Sequence, residues 1–373
     1  MKTLIFIDLP TSITPANLEV IHRHENYASL WAEVAGRNSR ILVISFMKSQ
    51  KKVIRYSFGN LDLIQIPIVV NKKVLREIKD LQNELRAQEI SYVSGDPWLK
   101  FLATKIFTLL FRLPGKVQIQ IHADVFDRNW YRQTWTSTIK RIFLPISLLS
   151  AANIRVVSVD TKKRLTESNL FRKKRIFLAP VPLNIDFSNL HFNASNRPYT
   201  VGILGRLQRE RGLDLFLDYL RSNSQYLKGI RLLVAGSGPD RETFQNDLEK
   251  FLGRENVEFL GDLDRMEVER FWGKIGVLAS FAPSESYGRT IRESLCHGVP
   301  VLAYPSKGVQ NLLKEFPGCA LEVSEKQIGV RESKNQIQRL ITHVTNKAFL
   351  EYSKKEMNRT SAVLINSWEE LYQ

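Results

Sequence analysis

The sequence predicts an α/β protein of two Rossmann-like, doubly wound domains facing a cleft. Short β-branched runs alternate with longer helix-compatible segments along the whole chain, and an aperiodic Asn- and Ser-rich stretch divides it near the middle. A length of 373 residues with 43% hydrophobic and 10% aromatic side chains is enough to fill two cores.

In the first half the runs are Leu4–Ile7, Ile41–Phe46, Ile64–Val70, Val117–Ile121 and Arg155–Val159. The second half repeats the pattern with Tyr199–Leu204, Ile230–Ala235, Val257–Leu260, Val277–Ser280, Val299–Ala303 and Ala320–Val323. Such alternation predicts parallel strands with crossover helices. The dividing stretch, LNIDFSNLHFNASNRP, has no period and ends in Pro198. It sets a first domain at residues 1–190, a linker at 191–198, a second domain at 199–350 and a terminal helical segment at 351–373, where Val363, Leu364, Trp368 and Leu371 make an amphipathic pattern. In doubly wound sheets ligands sit beyond the carboxyl ends of the strands, so residues just after each run carry the functional expectation.

Composition narrows the class. Cys296 and Cys319 are the only cysteines, which excludes a disulfide framework and suits a reducing compartment. The apolar run after Met1 is too short for a secretory signal and reads as a first buried strand. Lys105 and Arg112 interrupt the apolar stretch Phe101–Leu113, and Pro145 interrupts Ile142–Ala152, so neither is expected to span a bilayer. A cytoplasmic protein is expected.

The net charge of +16 is unevenly placed: residues 1–190 hold 29 Lys and Arg against 15 Asp and Glu, and residues 191–373 hold 25 against 23. A basic half attracts nucleic acid, anionic lipid or an anionic substrate. The basic residues lack regular aromatic interleaving, so nucleic acid is not the expected partner.

The segment from Val277 to Gly308 reads as strand, loop, helix, strand, with the helix opening near Arg289. Unpaired N–H groups at a helix N-terminus can bind phosphate or sugar oxygens beside Gly288, Arg289 and Thr290, and a glycine permits close approach of a ligand to the backbone. Glu285 lies in the loop and Glu293 eight positions later in the helix. A carboxylate accepts two hydrogen bonds from a vicinal diol such as a ribose presents. Taken singly, each glutamate reads better as a helix-dipole partner or a solvated charge. After the run Tyr199–Leu204 come Gly205 and Arg206, then Arg211-Gly212 near a helix start. Two cations there can clamp a diphosphate and stabilise it as a leaving group.

The pattern Glu285-Ser286-Tyr287-Gly288 followed by Glu293, with Gly205-Arg206-Leu207 and Gly236-Ser237-Gly238-Pro239, resembles family 4 of the retaining glycosyltransferases. The resemblance is strongest from Val201 to Leu302 and implies a GT-B fold. It implies that Glu293 binds the ribose diol, that Glu285 and the backbone at Gly288 to Thr290 hold the donor sugar, and that the terminal helix crosses back to the first domain. Arg211 stands where that family usually has Lys. Asp96-Pro97-Trp98 and Ile121-His122-Ala123-Asp124 are further echoes, which imply that His122 contacts a donor-sugar hydroxyl and Asp124 lies near the reaction centre. Asp8-Leu9-Pro10-Thr11-Ser12 departs from the glycine-rich first loop of many relatives.

The expected activity is transfer of a hexose from a UDP- or GDP-sugar, used as substrate, to a polysaccharide or lipid-linked glycan acceptor. No cofactor and no metal is expected, and Asp262-Leu263-Asp264 reads as an accidental D-x-D. The charge asymmetry adds an expected peripheral contact of the first domain with an anionic membrane, through Lys48–Lys52, Lys72-Lys73, Lys162–Arg164 and Arg172–Arg175, while Phe101, Phe107, Leu110 and Phe111 read as core with a shallow surface contribution. A nucleic-acid-binding protein or an inactive relative of the transferases are the alternatives, separable by donor hydrolysis.

Overall fold

The computed structural model describes residues 1–8, 18–36, 38–48, 51–123, 125–126, 135–183, 185–187, 190, 198–323, 336–342 and 347–373. Residues 191–197 of the expected linker lie outside them. The chain divides into two compact units, the first comprising Met1–Phe126, Thr134–Pro180 and Arg359–Gln373, the second having Val181–Asn358 as its body.

The first unit is built on strands β1 (Lys2–Asp8), β2 (Arg40–Met47), β3 (Ile54–Phe58), β4 (Leu61–Pro67), β5 (Glu89–Ser94), β6 (Lys116–Ile121), β7 (Asn153–Val156) and β8 (Arg175–Leu178). They form one sheet in the order β3-β4-β2-β1-β5-β6-β7-β8. Only the edge pair β3 and β4 is antiparallel. The helices are α1 (Leu18–Ala35), α2 (Lys72–Arg86), α3 (Leu99–Leu110), α4 (Trp135–Ser150) and α5 (Val159–Glu167). Alternation along β1 serves two cores: Leu4 and Phe6 pack with α1 residues and Trp368, while Ile5 and Ile7 pack with residues of α2 and α3. The chain end is locked in by polar groups, since Trp368 Nε1 donates to Gln118 Oε1 at 3.1 Å and Asn153 Nδ2 to the Ser367 carbonyl at 2.7 Å.

The second unit carries β9 (Thr200–Leu204), β10 (Arg231–Ala235), β11 (Val257–Gly261), β12 (Val277–Ser280), β13 (Val301–Ala303) and β14 (Leu321–Val323). Its helices are α6 (Leu213–Ser222), α7 (Arg241–Leu252), α8 (Arg265–Lys274), α9 (Arg289–Cys296), α10 (Lys307–Glu315), α11 (Gln336–Thr342) and α12 (Ala348–Glu369), the last ending among first-unit residues. All its strand pairs are parallel, in the order β11-β10-β9-β12-β13-β14. The chain runs outward one way from β9 to β11 and the other way from β12 to β14. The crevice between the carboxyl ends of β9 and β12 is therefore the topological switch point, where such sheets bind ligands.

Two expected strands end before the sequence pattern does. The run Ile64–Val70 leaves the sheet after Pro67, and Ile68, Val69 and Val70 are exposed. Arg155–Val159 ends at Val156, because the Ser158 side chain accepts from Thr161 N and starts α5. The edge strand β3 lacks the continuous apolar run of a central strand, since it alternates Arg55 and Ser57 with apolar residues.

Candidate functional site

The residues around the switch point come from two loops. After β9 the chain turns through Gly205, at φ 142°, and passes Arg206 before a single 3-10 turn, Arg209–Arg211, that leads to Gly212. Gly212 has φ 76°, and a Cβ there would stand 1.9 Å from the Phe281 carbonyl oxygen. Only glycine permits that approach of the α6 start to the loop after β12. The approach brings Arg211 Nη1 within 3.3 Å of Glu285 Oε2, across 74 positions of sequence.

The second loop ends in Gly288, at φ 73°, where α9 begins. Glu285 Oε1 accepts from the N–H groups of Ser286, at 3.2 Å, and Gly288, at 3.1 Å. Its carboxylate thus sits on loop N–H groups just before α9, near the positive end of the helix. Gly308 N donates to the Glu285 carbonyl at 2.9 Å, and a Cβ on Gly308 would meet that oxygen at 2.5 Å. Sequence reasoning gives Gly308 no role; its only sequence signal is a glycine in the first turn of a helix.

Gly205, Arg206, Arg211, Glu285 and Thr290 line one pocket with Phe281 and Ala282, so five of the expected residues converge. Arg206 is exposed and pairs with no carboxylate among the described residues. Glu293 and Arg289 form a separate pair one turn into α9, with Arg289 Nε 3.0 Å from Glu293 Oε1. The Glu293 side chain is only 8% exposed, so it is not a solvated surface charge. Ser284 Oγ, in the same loop, is buried and has no hydrogen-bond partner among the described residues. A buried hydroxyl left in that state costs free energy unless something fills the position.

The loop rests on a rigid support. Arg292 stacks 4.2 Å from the Tyr287 ring centroid, donates to the Tyr287 carbonyl and pairs with Glu315 at 2.8 Å. Burial pushes the Tyr287 hydroxyl up to about 12. The two cysteines are inert for the same reason: burial raises Cys296 to about 12 and Cys319 to about 11. Neither is expected to react with an alkylating reagent in the folded protein at pH 7 to 9, and both should react in denaturant; mass spectrometry after iodoacetamide treatment checks this.

Asp262 and Asp264 have structural partners. Asp262 accepts from Ser237 Oγ at 2.6 Å, and Asp264 caps α8 in a reciprocal capping box with Glu267.

In the first unit, β6 delivers His122 just past its last residue. His122 Nε2 lies 3.0 Å from Gln120 Oε1. Desolvation and, after it, the charges of Arg155, Arg23 and Lys100 push His122 well below the usual imidazole range. Asp124 lies outside the described residues, as do residues 9–12 of the divergent first loop. Asp96 serves as a cap, accepting from Trp98 N at 2.7 Å and Lys100 N at 3.3 Å at the start of α3. Asp8, buried at the end of β1, pairs with Lys100 at 2.5 Å.

Residues 188–345 match the family model described as glycosyl transferases group 1. The fold is also that of the Anabaena protein Alr3699/HepE, solved in complex with UDP and glucose, with a TM-score of 0.66 at 13% identity and complete coverage of both chains. The fold is GT-B. Curated relatives bear glycosyltransferase names. The O-antigen biosynthesis glycosyltransferase WclY of Escherichia coli is 23% identical over 240 residues, covering 62% of this chain and 65% of that protein. The GtfA subunit of the UDP-N-acetylglucosamine–peptide N-acetylglucosaminyltransferase of Limosilactobacillus reuteri is 18% identical over 270 residues, covering 69% of this chain and 52% of that protein. The chain thus spans about half to two thirds of the length of these two relatives. It is a GT-B chain related to several nucleotide-sugar-dependent transferases.

Proposed function

We propose that this GT-B chain moves a hexose from a UDP- or GDP-sugar to a glycan or lipid-linked acceptor and retains the anomeric configuration. The observation that carries the reading is the pocket at the switch point, where Arg206, Arg211, Glu285 and Thr290 meet beside a helix N-terminus. Two cations and a row of backbone N–H groups suit a diphosphate, and the orphaned Ser284 hydroxyl suits a polar donor. The solved likeness that holds UDP and glucose points to the same donor class.

In this reading Arg206 and Arg211 hold the diphosphate and stabilise the charge that grows on it as the anomeric bond breaks. Arg211 exchanges Glu285 for the phosphate. Glu293 accepts from the ribose diol, and Glu285 with the backbone of Gly288 to Thr290 holds the sugar. The acceptor oxygen attacks from the face the diphosphate leaves, and the departing phosphate oxygen takes the acceptor proton. His122 and Asp124 act on the sugar and the acceptor.

Thermal shift with UDP, GDP, ADP and dTDP tests the donor assignment. A ligand at 100 times its dissociation constant adds about 2.7 kcal/mol of stability. One base is expected to stand out, and a flat response to all four overturns the reading. Anomeric NMR of the product decides retention. His122→Ala is expected to depress transfer while leaving nucleotide affinity within about 2-fold, a change worth roughly 0.4 kcal/mol. Parallel loss of both would place His122 at the nucleotide or in a purely structural role.

The basic first half further supports docking on an anionic membrane, where a lipid-linked acceptor would be met. No described helix is long and apolar enough to cross a bilayer, so such a contact is peripheral.

A further inference from the structure

The apolar residues that α3 and α4 expose are not those a core helix leaves over. On α3, Leu99, Leu102, Ile106, Leu109 and Leu110 recur at helical spacing on the side opposite the buried Thr104 and Phe107. On α4, Ile139, Ile142, Phe143, Ile146 and Leu149 do the same opposite Leu144 and Leu148. These ten side chains are between 42% and 77% exposed. Phe107 and Phe111, by contrast, are buried and stack at 4.0 Å, so they face the sheet.

α3 links β5 to β6 and α4 links β6 to β7, all parallel neighbours, so right-handed crossovers put both helices on one side of the sheet. Trp98 Nε1, just before α3, donates to the Lys140 carbonyl of α4 at 2.8 Å, and Lys140 Nζ sits 5.4 Å from the Trp98 ring centroid. The two stripes thus lie on the same side of the first unit, where exposed apolar side chains in such number mark an interaction site.

The charges on α3 and α4 themselves have one sign. Neither α3 nor α4 contains an Asp or Glu. Lys105 and Arg141 are exposed on the helices, and Arg112 is exposed just past α3. Lys174 Nζ donates to the carbonyls of Leu149 and Ala151 at 2.6 Å, which brings the exposed Arg172 and Lys173 to the end of α4.

We infer that the α3–α4 face is a docking surface for an anionic lipid bilayer, with the two stripes entering the headgroup boundary and the basic rim meeting lipid phosphates. This deepens the membrane part of the proposed function and rests on it, but not on the transfer chemistry. A second copy of the chain suits the face less well, because it would bring two rims of like charge together. A bilayer supplies both the apolar layer and the opposite charge.

Sedimentation of the full chain with phosphatidylcholine liposomes, with and without one quarter phosphatidylglycerol, tests this without any nucleotide. Binding is expected to the anionic liposomes at low salt. Leu102→Glu/Ile106→Glu and Ile142→Glu/Phe143→Glu should each lower the partition coefficient at least about 10-fold. Lys105→Glu/Arg172→Glu should lower it about 10-fold on anionic liposomes only. All these side chains are exposed, so melting temperature and nucleotide binding should hold. Failure of the wild-type chain to bind anionic liposomes, or equal binding by the apolar-face variants, overturns the proposal. So does a dimer in sedimentation velocity that those variants dissociate while lipid binding is absent, which would assign the face to a second copy. Nucleotide thermal shift reports on the donor reading separately, so the two can fail independently.

Discussion

Arg206→Ala and Arg211→Ala are each expected to lower kcat by about 10²–10³, with smaller changes in KM. The expectation follows from where the guanidiniums stand. Both line the switch-point pocket, and both are exposed at its rim. Arg211 has a single contact of 3.3 Å to Glu285, a half-exposed ion pair worth little by itself. In the proposed reaction it leaves that partner for a phosphate whose charge grows as the anomeric bond breaks. An interaction that strengthens in the transition state appears in kcat, whereas one equally strong in the bound substrate appears in KM. Steady-state kinetics of the two variants separates these cases, and a rise in KM at unchanged kcat would make the arginines ground-state binders. Arg211→Lys keeps the charge but loses the planar fork, so an intermediate kcat is expected if bidentate contact matters.

Glu293→Gln is expected to weaken nucleoside diphosphate binding about 10- to 150-fold, the range of a hydrogen bond to a buried charged group at about 1.5–3 kcal/mol. The side chain is 8% exposed and its described partner is Arg289, at 3.0 Å one turn earlier in α9. That pair gives the variant a built-in control. If Glu293 served only to position Arg289, Arg289→Gln would reproduce the loss. If it accepts from a ribose, Arg289→Gln would leave a carboxylate in place and weaken binding far less. Calorimetry of the two variants decides, and unchanged affinity in Glu293→Gln removes the ribose assignment.

Much of the local architecture is legible in the sequence because strands and helices impose periods of their own. The central strands announce themselves as apolar runs, β9, β10 and β12 among them, and the start of α9 is set by Gly288 followed by helix-compatible residues. The spacing of Glu285 and Glu293 is likewise a property of one loop and one helix. The edge strand β3 escapes such reading, since Arg55 and Ser57 break its apolar run.

What the chain alone could not decide is what meets across it. The contact of Arg211 with Glu285 joins residues 74 positions apart, and it depends on the Gly212 backbone passing beside the Phe281 carbonyl. The faces of α3 and α4 show the limit most clearly. Their sequences, LKFLATKIFTLL and WTSTIKRIFLPISLLS, carry apolar residues on two opposite sides, so hydrophobic periodicity does not single out the buried one. The sheet decides it: Phe107 and Phe111 go under, while Leu109 and Leu110 stay out. Sequence determines a face only when the opposite face is polar; where both are apolar, the neighbours that pack first determine which one is left for a partner.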